Sequence, residues 1–117
     1  MPAHLDTGRR GEEIAAEWLV RKGYEVVARN YRAGRGEIDL IVRKDALLVF
    51  VEVKTRTNLA FGMPEQSVSA RKAALITKAA EEYTFAADWQ GNIRFDIIAV
   101  VTGRNPVQVE HFEDAFY

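Results

Sequence analysis

The chain has 117 residues, of which 48 % are hydrophobic and 28 % charged, a balance typical of one globular domain, so we expect a single domain over residues 1–117. Because it contains no cysteine, disulfides, thiolate zinc sites and cysteine nucleophiles are excluded. Its apolar runs are far too short to cross a membrane, and its first residues lack the basic-then-apolar pattern of a signal peptide. We therefore expect a cytoplasmic protein.

The charge of the chain is unevenly distributed, although its net value is only −1. Residues 1–79 hold 14 Lys and Arg against 10 Asp and Glu, whereas residues 80–117 hold 2 against 7. This asymmetry fits a basic surface on the first part of the chain. Ordinary solvated charge explains the same counts, and both readings stay open.

Helical periodicity predicts a first helix over residues 8–22. Asp6 or Thr7 can cap its start, and Gly23 suits the left-handed position just past its end. Glu12 lies beside the apolar face among small residues, where a ligand or another backbone could approach. The alternative is a solvated carboxylate favoured by the helix dipole.

The remaining pattern predicts strands, one further helix and a loop. Strands are expected at 24–31, 37–43, 47–55 and 93–101, with a short edge strand at 107–112. Residues 58–66 read as a loop, and Ser67 or Ser69 begins a second helix that runs to about Ala86. The fold class is therefore α/β, with an αβββαβ core in which helices flank a mixed sheet.

The second and third strands are predicted to form a hairpin closed around Asp45 and Ala46. In that register Asp39 faces Glu52 with Cβ atoms about 5 Å apart, and two such carboxylates repel unless a cation lies between them. The same register places Ile38 on the face of Leu40, opposite to Asp39. A three- or four-residue loop would shift every pair by one position.

Glu52 and Lys54 end the third strand and point to the same face, about 7 Å apart along it. Two carboxylates with open coordination positions suit Mg²⁺ or Mn²⁺, and the backbone carbonyl of Val53 could complete the ligand set. A neighbouring lysine can orient an attacking water or stabilise charge on a phosphate. This combination is typical of phosphodiester hydrolysis.

Asp39 followed by Glu52-Val53-Lys54 resembles the signature of PD-(D/E)xK nucleases, which have the restriction-endonuclease-like fold. A longer set of motifs resembles the bacterial YraN-type family, which is similar to archaeal Holliday-junction resolvases. The set consists of Gly8-x-x-Gly11-Glu12-x-x-Ala15, Asn30-Tyr31-Arg32, Gly36-Glu37-Ile38-Asp39-Leu40-Ile41, Val49-Phe50-Val51-Glu52-Val53-Lys54-Thr55-Arg56, Phe61-Gly62-x-Pro64 and Arg94-Phe95-Asp96.

The resemblance implies a metal-dependent endonuclease that acts on DNA, including branched or structured DNA. It implies metal ligands at Asp39 and Glu52, a catalytic lysine at Lys54 and an auxiliary acid at Glu12. Ile38 stands where the superfamily signature has proline, which takes no part in the chemistry. A resolvase-like enzyme must cut two strands, so a homodimer is expected if that analogy holds.

Other polar residues are assigned weaker expectations. Phosphate contacts, or alternatively simple solvation, are expected for four basic residues: Arg32, Arg35, Arg56 and Lys72. Arg94 and Asp96 are expected to form an internal ion pair or to bind a loop. His4 and His111 have no metal-ligand spacing and are predicted to be structural or surface residues.

Two alternatives to an active nuclease stay open. One is a nucleic-acid-binding or partner-recruiting module that keeps the fold without cleavage, since the chain has no obvious aromatic or basic recognition element. The other is a purely structural ion pair between Glu52 and Lys54, which would leave the carboxylates of Asp39 and Glu52 pointing apart.

Overall fold

The computed structural model describes residues 3–57, 68–103 and 105–116, with side chains from residue 9 onward. Within these ranges, two helices and five strands follow one another. They are α1 (Ala3–Arg21), β1 (Glu25–Ala33), β2 (Gly36–Lys44), β3 (Leu47–Arg56), α2 (Ala70–Ala86), β4 (Asn92–Val101) and β5 (Gln108–Phe112).

The strands form one mixed sheet in the order β1-β2-β3-β4-β5. Neighbouring strands are antiparallel except β3 and β4, which are parallel because α2 carries the chain back across the sheet. The predicted αβββαβ order and mixed sheet are confirmed, as is the edge strand that follows. The predicted loop at 58–66 lies outside the described residues.

The ends of the helices only partly match the expectation. Gly23 has φ +95°, which confirms its left-handed position after α1. The predicted caps Asp6 and Thr7 are wrong, because both lie inside a helix that begins at Ala3. For α2, Ser69 is the N-cap, and its side chain accepts a hydrogen bond from the backbone N–H of Lys72.

The turn between β2 and β3 has two residues, as predicted. Asp45 adopts φ 54°, a left-handed conformation that aspartate tolerates better than most residues. The pairs run from Lys44 with Leu47 to Leu40 with Val51, which confirms the predicted register over this part of the hairpin.

Each face of the sheet is covered by one helix. The α1 face buries Ala15, Ala16 and Leu19 against alternate residues of the sheet, which include Leu40, Val42, Val49, Val51, Ile98 and Val100. The α2 face buries Ala73, Ile76, Ala79 and Ala80 against a second set, which includes Ile41, Leu48, Phe50, Phe95 and Ile97.

The alternation of side chains along β2 is broken near Asp39. Ile38 packs in the cluster on the α2 face, so the prediction that it shares a face with Leu40 is wrong. β2 therefore changes its regular alternation between Ile38 and Leu40, at Asp39. Among the described residues, no helix is long and apolar enough to cross a membrane.

Candidate active site

The hydrogen-bonded ladder between β2 and β3 ends just before the predicted site. Its last pair is Leu40 with Val51, and continuing the register would pair Ile38 with Val53. Instead, the backbone N–H of Val53 donates to Oδ2 of Asp39 at 2.8 Å. A carboxylate thus replaces a backbone partner, and Asp39 and Glu52 do not form the regular facing pair that the register predicted.

The end of the ladder leaves backbone groups of β3 available. In an extended strand, the N–H and C=O of one residue point to the same side. The carbonyl of Val53 therefore points toward β2, where Asp39 and not a backbone partner receives the N–H. This is the carbonyl that the sequence suggested as a third metal ligand.

Glu52 is the more buried of the two carboxylates, with 6 % of its surface exposed. Its Oε2 lies 2.7 Å from Nζ of Lys72 on α2. That contact does not have hydrogen-bond geometry, and within the described part of the chain this buried oxygen has no hydrogen-bond partner. The interaction with Lys72 is therefore an ion pair of poor directionality, and Oε2 contacts no other hydrogen-bond donor among the described residues.

The two carboxyl groups affect each other's ionisation, and their pKa values shift in opposite directions. Burial, then the hydrogen bond and the negative charge of Glu52, raise the pKa of Asp39 to about 8. Burial opposes ionisation of Glu52 as well, but the hydrogen bond from Asp39 and the ammonium group of Lys72 lower its pKa. At neutral pH, Asp39 is therefore the protonated partner and Glu52 the charged one.

Lys54 lies on the same side of β3 and is half-buried. Burial, followed by its contact with Lys72, lowers its pKa to about 8, although the charge of Glu52 opposes this shift. An amine with a pKa near neutrality can exchange a proton with a bound water during a reaction. Two lysines, one from β3 and one from α2, thus converge on Glu52.

Glu12 belongs to α1, which covers the face of the sheet opposite to α2. Burial raises the pKa of Glu12, and the nearby side chain of Asn30 opposes this shift. The charges of Glu37 and Glu52 also raise this pKa, so Glu12 lies within electrostatic range of the carboxylate pair. Asn30, with φ 50°, was missed as a site residue, although it stood in a motif of the family resemblance.

Gly11 allows α1 to bring Glu12 to this position. A Cβ on Gly11 would collide with Oγ1 of Thr55, which follows Lys54 on β3. The side chain of Thr55 points to the α1 face, so the helix crosses β3 directly beside the site. Close packing of α1 against β3 therefore explains why a glycine precedes Glu12.

The four predicted phosphate-binding residues differ in their exposure and in their contacts. Arg56 and Arg35 are exposed at the end of β3 and in the β1–β2 turn, and Arg32 is paired with Glu37 at 2.9 Å. Arg35 borders a groove of about 290 Å³ between that turn and α2, which is also lined by Lys78 and Glu82. Lys72 differs from the others because it contacts Glu52 directly.

A second polar cluster lies away from the site. Asp96 is fully buried and receives both Nε and Nη2 of Arg94 at 2.8 Å, which confirms the predicted internal ion pair. It also binds the backbone N–H of Asp114 and Nε2 of His111, which confirms a structural role for His111. The side chain of His4 lies outside the described residues.

The donors fit a hard divalent cation that keeps several waters. Over residues 3–57, 68–103 and 105–116, no three His, Cys, Asp or Glu side chains gather as a complete ligand set. Two carboxyl groups, one with a buried oxygen that lacks a hydrogen-bond partner among the described residues, and the carbonyl of Val53 are the kind of incomplete ligand set by which Mg²⁺ is usually held. The residues therefore fit Mg²⁺ or Mn²⁺ better than a fully coordinated zinc.

Comparison with known proteins assigns the chain to a family. A sequence model of the uncharacterised protein family UPF0102 matches residues 11–100, which include every residue of the candidate site. The chain belongs to the UPF0102 family. A UPF0102 protein of Flavobacterium psychrophilum is 45 % identical over 117 residues, which covers all of this chain and 98 % of the relative.

Two other UPF0102 proteins are similar over most of their length. One of Chlorobium phaeobacteroides is 44 % identical and covers 93 % of this chain and 91 % of its own length. One of Anaeromyxobacter dehalogenans is 43 % identical over 110 residues and covers 93 % of this chain and 82 % of its own. The family resemblance stated from the motifs is confirmed at this level.

Proposed function

We propose that this UPF0102 protein is a metal-dependent endonuclease of the PD-(D/E)xK type that hydrolyses phosphodiester bonds of DNA. The observation that carries the proposal is the meeting of Asp39 and Glu52 where the β2–β3 ladder opens, with Lys54 beside them. This arrangement argues against a merely structural Glu52–Lys54 pair, because the carboxyl groups of Asp39 and Glu52 are hydrogen-bonded and Glu52 pairs with Lys72.

Each residue of the site is proposed to have a separate role in phosphodiester hydrolysis. Asp39, Glu52 and the carbonyl of Val53 would hold Mg²⁺ or Mn²⁺, which when bound polarises a phosphate oxygen and acidifies water. Lys54, with its pKa near 8, accepts a proton from the attacking water or neutralises charge that develops on the phosphate. Glu12, whose ionised form is favoured by the nearby Asn30, orients water at the edge of the site.

The surroundings of the site favour a nucleic acid as substrate. The site lies at the open end of β3, where Arg56 is exposed, and α2 leads from Lys72 toward the groove beside Arg35. Cations distributed in this way can contact successive phosphates of one strand. DNA is the expected substrate, and RNA of the same length and sequence is the substrate control.

The experiment incubates the purified protein with duplex, single-stranded and four-way-junction DNA in Mg²⁺ or Mn²⁺. Glu52→Gln and Lys54→Met should each reduce cleavage by about 100-fold or more, because each removes charge stabilisation at the reacting phosphate. Glu17→Gln, which alters an exposed carboxylate of α1, is the matched control and should cleave as the wild type does.

The refuting result is a folded wild-type protein that leaves all of these substrates intact with both metals. If it still bound DNA in a salt-dependent manner, and Glu52→Gln bound equally well, a binding module without cleavage would be the correct function.

A further inference from the structure

Lys72 occupies an unusual place for a lysine. It lies in the first turn of α2, three residues after the N-cap Ser69, and its backbone N–H donates to Oγ of Ser69 at 3.1 Å. Glutamate or glutamine is the usual residue at this position, because its side chain can close a capping box. The partial positive charge of a helix N-terminus also disfavours an ammonium group there.

The first turn of α2 contains no acidic residue that would offset this charge. The compensation comes from the sheet instead, since Nζ of Lys72 lies 2.7 Å from Oε2 of Glu52. The side chain of Glu52 is only 7 % exposed, whereas that of Lys72 is 42 % exposed. The carboxylate is therefore fixed in the sheet, and the ammonium group lies at the end of a flexible, partly solvated side chain.

We infer that Lys72 is the counter-ion of Glu52 that a divalent metal displaces, and that the displaced ammonium group then contacts the scissile phosphate. The inference rests on the proposed function and adds a second lysine to its site. Its first support is that Lys72 and a metal would use the same oxygen: Oε2 of Glu52 has no other partner among the described residues.

Its second support is the proximity of the cations. A metal ion bound at Oε2 would lie within a few ångströms of Nζ of Lys72, where two positive charges repel strongly in a partly buried site. The side chain of Lys72 is 42 % exposed, so its ammonium group can relieve this repulsion by moving away from Glu52 into solvent.

The test measures Mn²⁺ binding without DNA, by electron paramagnetic resonance of free Mn²⁺ at constant pH and ionic strength. Lys72→Met should bind Mn²⁺ about tenfold more tightly than the wild type, because it removes the competing cation. Lys72→Arg keeps a competing charge and should bind Mn²⁺ less tightly than Lys72→Met. Lys78→Met, an exposed lysine further along the same helix, is the matched control and should leave Mn²⁺ affinity within about twofold.

A second measurement follows the displaced ammonium group. With Ca²⁺ in place of Mn²⁺, Lys72→Met should bind DNA several-fold more weakly than the wild type, because a phosphate contact is lost. Tighter Mn²⁺ binding together with weaker DNA binding is the expected pair of results. Circular dichroism confirms that each variant is folded, which is expected because position 72 is on a helix surface.

The outcomes separate this inference from the proposed function. Unchanged or weaker Mn²⁺ binding by Lys72→Met, while Glu52→Gln abolishes binding, would overturn the role of Lys72 and leave the metal site standing. An absence of Mn²⁺ binding at millimolar concentration by both the wild type and Lys72→Met would overturn the metal site and the inference together.

Discussion

Replacing Asp39 by asparagine should make the stability of the protein less sensitive to pH. In the folded protein the pKa of Asp39 is raised to about 8, whereas its ordinary value is 3.8. Between these two values the folded state holds a proton that the unfolded state has lost. The free energy of unfolding of the wild type therefore falls as pH rises through this interval. Asparagine does not titrate, so Asp39→Asn lacks this decrease.

The magnitude follows from the number of protons involved. One full proton corresponds to about 1.4 kcal/mol per pH unit, which gives an upper limit of about 3 kcal/mol between pH 5 and pH 7. Solvent screening of a carboxyl group that is not completely buried reduces this value. We therefore expect the free energy of unfolding of Asp39→Asn, relative to that of the wild type, to rise by about 1–2 kcal/mol over that range. The pKa values of Glu52 and Lys54 are lowered, and these two groups affect the pH dependence of stability below and above that pH range, respectively.

The assay is urea unfolding followed by tryptophan fluorescence at pH 5, 6 and 7, with EDTA present and ionic strength constant. Asp45→Asn, an exposed aspartate in the turn of the same hairpin, is the control, and its difference from the wild type should stay constant within about 0.3 kcal/mol. The quantity to follow is the free energy of unfolding of Asp39→Asn minus that of the wild type. If it stayed constant or fell between pH 5 and pH 7, the raised pKa would not belong to Asp39.

Three further substitutions test other parts of the structure. Gly11→Ala should lower the free energy of unfolding by about 1–3 kcal/mol, because its Cβ collides with Thr55, and a change below 0.5 kcal/mol would contradict this packing. Asp96→Asn should lower it by about 3–5 kcal/mol, because the charge of Arg94 loses its buried partner; unfolding at neutral pH measures this, and near-wild-type stability would contradict it. Arg35→Gln should reduce the slope of log affinity against log salt for DNA by about 1 in fluorescence anisotropy, and an unchanged slope would rule out this phosphate contact.

The sequence predicted the regular part of the fold because hydrophobic alternation and a short turn determine a hairpin register. The prediction is correct from Lys44 with Leu47 as far as Leu40 with Val51. It failed at Asp39, where a side chain takes the backbone N–H of Val53 and Ile38 turns to the other face. A hydrogen bond between a side chain and the main chain leaves no mark in a hydrophobic pattern.

The sequence predicted which residues form the site but not which of them contact one another. The motifs indicated Glu12, Asp39, Glu52 and Lys54, and the structure brings these four together. The sequence did not show that Lys72 pairs with Glu52. That pair depends on how α2 crosses the sheet after a loop, which spacing along the chain does not determine. The position of Asn30 near Glu12 likewise involves an unusual backbone conformation, with φ 50°.

The mixed pairing of β3 has a consequence for the order in which the protein folds. β2 and β3 are joined by a two-residue turn, so the hairpin that carries both carboxylates needs only local contacts. The parallel pairing of β3 with β4 must wait until the chain has passed through α2, which makes it non-local and slower to form. We expect the acidic half of the site to be assembled early, while Lys72 arrives with the crossover and neutralises a carboxylate that is already in place.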